Sequence, residues 1–313
     1  MRHALRSKLT AATALAAAAS LAVLALPASS ASAGSGITPG RVHPMKVIEK
    51  VKSKVALPTE NRLPLIGGAP VGLPLMYGSG EVELTNTNYA IFWEPAGHAS
   101  SASYKSLIQR WFNDVGGSAL FNTTTQYYQD LGSGQQNIQN VSRFGGSYVD
   151  TAPFPAGGIT DAAIQAEVAR VVALNGWPKG VGNEYFMYSG PGGEIVSSYC
   201  AYHGYFSVGG QTVLYADEPY GGQSGCEVPS SPNGDPAADS AINTTSHEQW
   251  ETITDPTVGG GWTALDGDEG SDQCNFMFGS TNASGADVTL NGHGYIVQQE
   301  WDNNGAPFGC TMG

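Results

Sequence analysis

The sequence has little charge, few cysteines and almost no positive charge beyond its N-terminal part. Charged residues make up 13% of the 313 residues and hydrophobic residues 41%, which excludes the composition of a disordered chain. Residues 63–313 hold only five basic side chains against 25 acidic ones, a net charge of −20. Such a charge repels phosphate backbones and anionic lipids alike. We therefore expect no nucleic-acid partner.

Only one long apolar run is present, and it is too short to span a bilayer. It covers 16 residues, Ala11 to Leu26, whereas a membrane-spanning helix needs about 20. Three basic residues precede the run, and the small residues Ala31-Ser32-Ala33 follow it. This order predicts a secretory signal peptide over residues 1–33, with cleavage after Ala33. We expect a secreted, extracellular monomer without a membrane span.

The four cysteines include no C-x-x-C pair, which argues against a zinc site made of cysteines. An even number of cysteines in an oxidising compartment predicts two disulfides. Three pairings are possible. We favour Cys200 with Cys226 and Cys274 with Cys310, because each pair closes a glycine-rich loop of moderate length.

Residues 34–76 form a basic segment, rich in proline and glycine, that precedes the acidic remainder of the chain. We interpret it as a propeptide or linker, with one short helix predicted near Met45 to Val55. Two interpretations stay open. The positive segment could lie across an acidic cleft as a removable plug, or it could be a flexible tether.

Strand and helix patterns begin at about residue 81 and continue without a clear break. They predict one domain over residues 77–313, of α/β or α+β class, with a mixed sheet, a long metal-site helix and glycine-rich, disulfide-bonded C-terminal loops. The predicted elements are strands at 89–93 and 184–188, helices at 104–115, 120–131 and 161–174, and a hairpin from Tyr202 to Tyr215 through Gly209-Gly210.

A further predicted helix contains the candidate metal ligands. Asp235 is a good N-cap, Pro236 suits the first helical position, and Pro256 ends the helix near Thr254. On this helix His247 and Glu251 lie one turn apart on one face, where they can bind a single ion. Glu248 takes the place that the general base has in H-E-x-x-H zinc peptidases, so the motif here is H-E-x-x-E, and we expect the domain over residues 77–313 to be zincin-like.

A mononuclear catalytic zinc site needs a third protein ligand. Glu269, 22 residues after His247, is our candidate, and Asp272 could accept a hydrogen bond from His247 and fix its tautomer. In the alternative, the acidic loop from Asp266 to Asp272 binds Ca²⁺. His203 could donate to an oxyanion or serve as a ligand, or it could be an ordinary hydrogen-bonded loop histidine.

The predicted function is zinc-dependent peptide hydrolysis with Glu248 as the base and His203 as a possible oxyanion donor. One imidazole and two carboxylates leave Zn²⁺ formally neutral, which makes it a weaker Lewis acid. Serine hydrolase chemistry is set aside because no G-x-S-x-G motif is present. The alternative function is a non-catalytic extracellular or cell-surface binding protein with a structural metal site or none.

Several segments together resemble the phosphate-induced protein 1, or EXORDIUM-like, family, in particular its secreted bacterial members. The segments that carry the resemblance are Tyr89 to Trp93 with the Trp111 helix, Tyr199 to His203, Ser231 to Pro236, Ser246 to Pro256, and Glu269 to Cys274. The resemblance covers nearly everything after residue 80. It implies an extracellular protein, associated with the cell wall in plants and linked there to growth responses, so a cell-wall component is a second possible partner.

Overall fold

A six-stranded mixed sheet organises the chain in the computed structural model, which describes residues 36–46, 72–196, 198–221, 223, 225–305 and 309–313. The predicted signal peptide lies outside the described residues. The strands are β1 Ile37–Lys46, β2 Met76–Tyr77, β3 Asn86–Trp93, β4 Tyr128–Gln129, β5 Gln136–Asn137, β6 Ser142–Asp150, β7 Asn183–Ser189, β8 Tyr199–Val208, β9 Gln211–Glu218, β10 Trp262–Thr263, β11 Val288–Leu290, β12 His293–Tyr295, β13 Glu300–Asp302 and β14 Gly309–Thr311. The α-helices are α1 Ala102–Asp114, α2 Ala119–Asn122, α3 Asp161–Asn175 and α4 Pro236–Thr254, and short 3₁₀ turns cover Thr123–Gln126 and Asp272–Cys274.

The strand order of the main sheet is β1-β8-β9-β7-β3-β6. Strands β6, β3, β7 and β9 run parallel to one another, whereas β8 is antiparallel to β9 and β1 is antiparallel to β8. Helix α1 lies in the crossover from β3 to its neighbour β6, and α3 lies in the crossover from β6 to β7 on the other side of β3. The mixed α/β architecture expected from the sequence is therefore present, and the sheet ends on one side in two antiparallel strands.

The sheet buries both of its faces. On β3, Ala90 and Phe92 point toward a core that contains α1 and α4, whereas Tyr89, Ile91 and Trp93 point toward α3. This alternation follows from the two-residue period of a strand. The sheet therefore lies between two helical layers, and α4 is on the α1 side.

Helix α4 has the bounds that its sequence predicts. The Asp235 side chain accepts a hydrogen bond from the Ala238 amide at 3.2 Å, Pro236 is the first helical residue, and Thr254 is the last. Every residue from Ala238 to Thr254 is buried, polar residues included. The helix is therefore a central element, and its charged side chains need partners inside the protein.

The predicted hairpin is also present. Strands β8 and β9 are joined by Gly209 and Gly210, whose φ angles are 60° and 78°. A two-residue turn of this kind needs positive φ at both positions, which glycine adopts without steric cost. This tight turn places β8 directly beside β9.

Two predicted helices differ from the structure. The helix predicted over 120–131 ends early, because the hydroxyls of Thr123 and Thr124 donate to the backbone carbonyls of Leu120 and Phe121, at 2.8 Å each. The helix predicted from Met45 is also wrong at its start, since Met45 and Lys46 belong to strand β1 and pair with Ala201 and Tyr199 of β8. The remainder of that predicted helix lies outside the described residues.

The two disulfides pair as predicted, Cys200 with Cys226 and Cys274 with Cys310. The first joins the beginning of β8 to the loop before α4, and the second joins a 3₁₀ turn to β14. Within the described ranges, no helix has both the length and the apolar character that a membrane span requires.

Two buried carboxyl groups should make the free energy of unfolding depend on pH. Glu83 and Glu184 are fully buried and both accept from the Asn86 side-chain amide. Burial raises the pKa of Glu83 to about 8, despite hydrogen bonds from Asn86 and the Gly182 amide. Burial and the charge of Glu83 raise the pKa of Glu184 well above its usual value. The folded protein therefore holds protons that the unfolded chain releases.

A carboxyl group with a raised folded-state pKa stabilises the fold fully below its unfolded pKa and loses that contribution as pH rises. We expect the free energy of unfolding to fall between about pH 4.5 and pH 8. Glu83→Gln should flatten this slope by up to about 1.4 kcal/mol per pH unit. Urea unfolding across this range measures it, with Glu81→Gln, an exposed neighbour, as the control. Equal slopes in the two variants would contradict the prediction.

Candidate metal centre

Side chains from four parts of the chain meet between α4 and the sheet. Helix α4 supplies His247, Glu248 and Glu251. Strand β8 supplies His203, which lies opposite Ala216 of β9 and therefore on the face covered by α4.

The remaining members of this cluster are His43 from β1 and two carboxylates, Glu269 and Asp272, from the loop after β10. The side chains of His203, His247, Glu248, Glu251 and Glu269 are 0% exposed.

His247 is held by Gln298, a residue that the sequence did not single out. The Gln298 side-chain amide donates to the Ser271 carbonyl at 2.8 Å, so its Oε1 faces His247 Nδ1, 3.2 Å away, as an acceptor. His247 Nδ1 is therefore the protonated nitrogen. The other nitrogen, Nε2, points to Glu251 Oε1 at 3.1 Å. This is the tautomer that a metal-binding histidine needs.

Asp272 lies beside Glu251 but does not orient His247 as we expected. Its Oδ1 is 3.8 Å from His247 Nε2, which is beyond hydrogen-bonding distance. Gln298 orients the His247 imidazole in its place. Instead Asp272 Oδ2 is 2.5 Å from His43 Nε2, and the Asp272 amide donates to Glu251 Oε1 at 3.1 Å. Asp272 thus faces the same space as His247, Glu251 and His43.

His203 lies among three carboxyl groups. Its Nδ1 is 3.2 Å from Glu248 Oε2 and 3.5 Å from Glu251 Oε2, and its Nε2 is 3.7 Å from Glu269 Oε2. Glu269 also approaches His43 Nδ1, at 3.5 Å. His203 is therefore part of the cluster, so it is more than a loop histidine.

Many of the buried polar atoms in this cluster make no hydrogen bond. They are His203 Nε2, His247 Nε2, Glu248 Oε1, Glu251 Oε2, both Glu269 oxygens and Asp272 Oδ1. Burying a polar atom without a partner costs about 1–3 kcal/mol, and most native proteins avoid it. Donor atoms that converge without partners are what a metal-binding site requires.

The electrostatics of the cluster also favour a cation. Burial and the negative charge of Glu251 raise the pKa values of Glu248 and Glu269 well above the usual range. Burial would raise the pKa of Glu251 too, but its interactions with the nearby imidazoles of His247 and His203 lower it instead. The Glu251 carboxylate is therefore stabilised in its charged form, and its charge opposes ionisation of Glu248 and Glu269. A divalent ion would relieve this repulsion.

Three overlapping groups of ligand atoms lie within 4.8 Å of one another among the described residues. They are His43 with Glu251 and Asp272, His203 with Glu251 and Glu269, and His247 with Glu248 and Glu251. Imidazole nitrogen and carboxylate oxygen are donors that suit Zn²⁺. Glu251 belongs to all three groups. The predicted ligands His247, Glu251 and Glu269 each belong to at least one of these groups. Glu269, however, is in the group of His203 and not in the group of His247.

The loop that we considered for Ca²⁺ is divided between the cluster and the surface. Glu269 and Asp272 face the cluster, whereas Asp266 is exposed and Asp268 forms an ion pair with Lys46 at 3.2 Å. Neither Asp266 nor Asp268 belongs to a metal-capable group within the described ranges. Calcium binding at this loop stays a prediction.

Fold and site together define the class: a mixed α/β protein, held by two disulfides, with a buried histidine and carboxylate cluster on its central helix. No protein-family model, curated protein or solved structure matches the chain. The EXORDIUM-like resemblance and the likeness to zincins therefore stay predictions.

Proposed function

We propose that this protein is a secreted zinc-dependent hydrolase that cleaves peptide bonds, with His247, Glu251 and Asp272 as the zinc ligands. The proposal rests on one observation. His247 Nε2 and Asp272 Oδ1, both buried and without hydrogen bonds, are 3.8 Å apart, and His247 Nε2 is 3.1 Å from Glu251 Oε1, beside a fully buried Glu248. Three protein ligands are the number that a catalytic zinc site uses, because the fourth position is left for water.

Asp272 replaces Glu269 as our third ligand because of the distances. The side chains of His247 and Asp272 approach to 3.8 Å, and the Asp272 amide is hydrogen-bonded to Glu251. Glu269 instead lies between the imidazoles of His43 and His203. Both ligand sets contain one imidazole and two carboxylates, so either set would leave Zn²⁺ formally neutral.

The chain's own residues supply the remaining chemistry. Zinc at this site would polarise a water molecule and the substrate carbonyl. Glu248 is the general base, and its Oε1 is free of hydrogen bonds and available for a proton. The His203 Nδ1–H group, 3.2 Å from Glu248 Oε2, holds that carboxylate in position. The role of His203 as an oxyanion donor stays a prediction.

The chemistry of the surroundings indicates an extracellular peptide or protein as substrate. The predicted export signal and the two disulfides agree with an extracellular setting. The net charge of −20 beyond residue 62 favours a substrate that is neutral or basic near the cleaved bond.

The test is elemental analysis of the secreted protein, followed by a peptide-library hydrolysis assay. We expect about one zinc ion per chain, hydrolysis that stops with 1,10-phenanthroline, and recovery when Zn²⁺ is restored. The assay should include protein cleaved after residue 46, because His43 of strand β1 lies against Glu269 and Asp272 in the intact chain. Protein that binds no zinc, even after zinc is added, would refute the proposal.

A second candidate function is a non-catalytic extracellular binding protein with a structural metal site. The complete burial of His247 and Glu251 favours it, since structural zinc sites are closed by protein ligands. Bound zinc without hydrolysis, before and after cleavage of the N-terminal segment, together with unfolding on zinc removal, would support this candidate.

A further inference from the structure

Strand β1 lies at the edge of the sheet and is weakly held for a strand of ten residues. It pairs antiparallel with β8, from Ile37 opposite Val208 to Lys46 opposite Tyr199. Pro39 and Pro44 have no amide hydrogen to donate, and the register shifts after Pro39. Met45 is the only buried residue of this strand. Little apolar burial therefore keeps β1 in place.

The side chain of His43 covers the metal cluster. His43 lies opposite His203 in the β-ladder, with the ring centroids 6.0 Å apart. Its Nε2 is 2.5 Å from Asp272 and its Nδ1 is 3.5 Å from Glu269. The His43 side chain is 16% exposed, whereas His203, His247 and Glu251 are fully buried. His43 therefore lies between the buried side chains of the cluster and the solvent on the β1 side.

Two residues after His43, Met45 points to the same face of the strand and enters an apolar pocket. The pocket is formed by the Cys200–Cys226 disulfide with Phe276 beside it. Next to it, the Lys46 ammonium group is 3.2 Å from Asp268, and the Lys46 carbonyl accepts from the Asn275 side chain at 3.1 Å. This edge therefore recognises an extended backbone, an apolar side chain and then a basic one.

We propose that the β8 edge is the docking surface for an extended peptide substrate. In the uncleaved chain, residues 37–46 occupy this edge as an inhibitory strand. The His43 side chain of that strand fills the open position beside His247, Glu251 and Asp272. The inference rests on the proposed hydrolase function. A peptide that adds a strand to a sheet edge gains affinity from backbone hydrogen bonds and specificity from side-chain pockets. Of the two interpretations of the basic segment, this one corresponds to the removable plug.

The experiment uses the full-length chain with a site-specific protease sequence in place of residues 52–58. After cleavage, we expect the N-terminal fragment to separate from the remainder on gel filtration, and hydrolysis to rise at least tenfold. A synthetic peptide of residues 37–46 with a fluorescent label should bind the cleaved protein and inhibit it. Fluorescence anisotropy measures this binding without any need for activity.

Matched variants of the labelled peptide test the recognition. Met45→Ala should weaken binding at least about tenfold because the buried anchor is lost. Val42→Ala should change it by less than about threefold, since Val42 is 41% exposed. Equal effects of the two substitutions would overturn the pocket assignment. A fragment that stays bound after cleavage and does not exchange with labelled peptide would show that β1 is a permanent strand, and would overturn the proposal.

Cobalt-substituted protein tests the position of His43. The visible absorption of bound Co²⁺ should change when the fragment leaves, and His43→Ala should produce the same change in the uncleaved chain. An unchanged spectrum in both cases would refute His43 as the group that fills the open position. These binding and spectral measurements also separate the two proposals: strand release without hydrolysis would refute the hydrolase function and leave the docking surface intact.

Discussion

Glu248→Gln should abolish hydrolysis while the protein keeps its fold and its zinc. The side chain keeps its shape but can no longer accept a proton, and loss of a general base costs about 10²- to 10⁴-fold in rate. Glu248 is fully buried and is not one of the proposed ligands, so zinc content should stay at about one per chain. The measurement is kcat on the released, cleaved protein, with zinc determined on the same sample.

Glu218→Gln is the matched control for this substitution. Glu218 is also fully buried, and it accepts a hydrogen bond at 2.6 Å from Thr244, one turn before Glu248 on the same helix. The control should retain most of its activity because its carboxylate belongs to none of the metal-capable groups among the described residues. Similar losses in both variants would show that buried charge near α4 matters for folding, and Glu248 would not be the base.

Replacing a zinc ligand should remove the metal. His247→Ala and Asp272→Ala each delete one of three proposed ligands, so we expect zinc to fall from about one ion per chain to a small fraction of one. Glu269→Gln should retain zinc, because this residue lies between His43 and His203. Elemental analysis after dialysis against a weak chelator gives the result, with circular dichroism to verify the fold.

His293→Ala is the histidine control. His293 hydrogen-bonds to Asp114 at 2.6 Å, its side chain is 45% exposed, and it lies in none of the ligand groups of the described chain. Its zinc content should equal that of the wild type. Zinc loss in Glu269→Gln but not in Asp272→Ala would return the third ligand to Glu269, as the spacing alone first indicated.

Local signals in the sequence determined much of the fold. The N-cap and proline signals gave α4 its bounds, and the Gly209-Gly210 pair gave the β8–β9 hairpin, because these features depend on residues close in the chain. The H-E-x-x-E spacing placed His247 and Glu251 one turn apart. His247 Nε2 and Glu251 Oε1 are 3.1 Å apart in the structure, which agrees with neighbours one helical turn apart.

The tertiary structure alone decided which distant residues join them. His43 and Asp272 are separated by 229 residues, and Gln298 follows His247 by 51. Their meeting depends on β1 pairing with β8 and on the C-terminal loops packing over α4. No local periodicity encodes such long-range pairing, because it results from closing large loops around a shared core. The local sequence determined the helix that holds His247, Glu248 and Glu251. The packing of the sheet edge and the C-terminal loops decided which other side chains lie beside these residues.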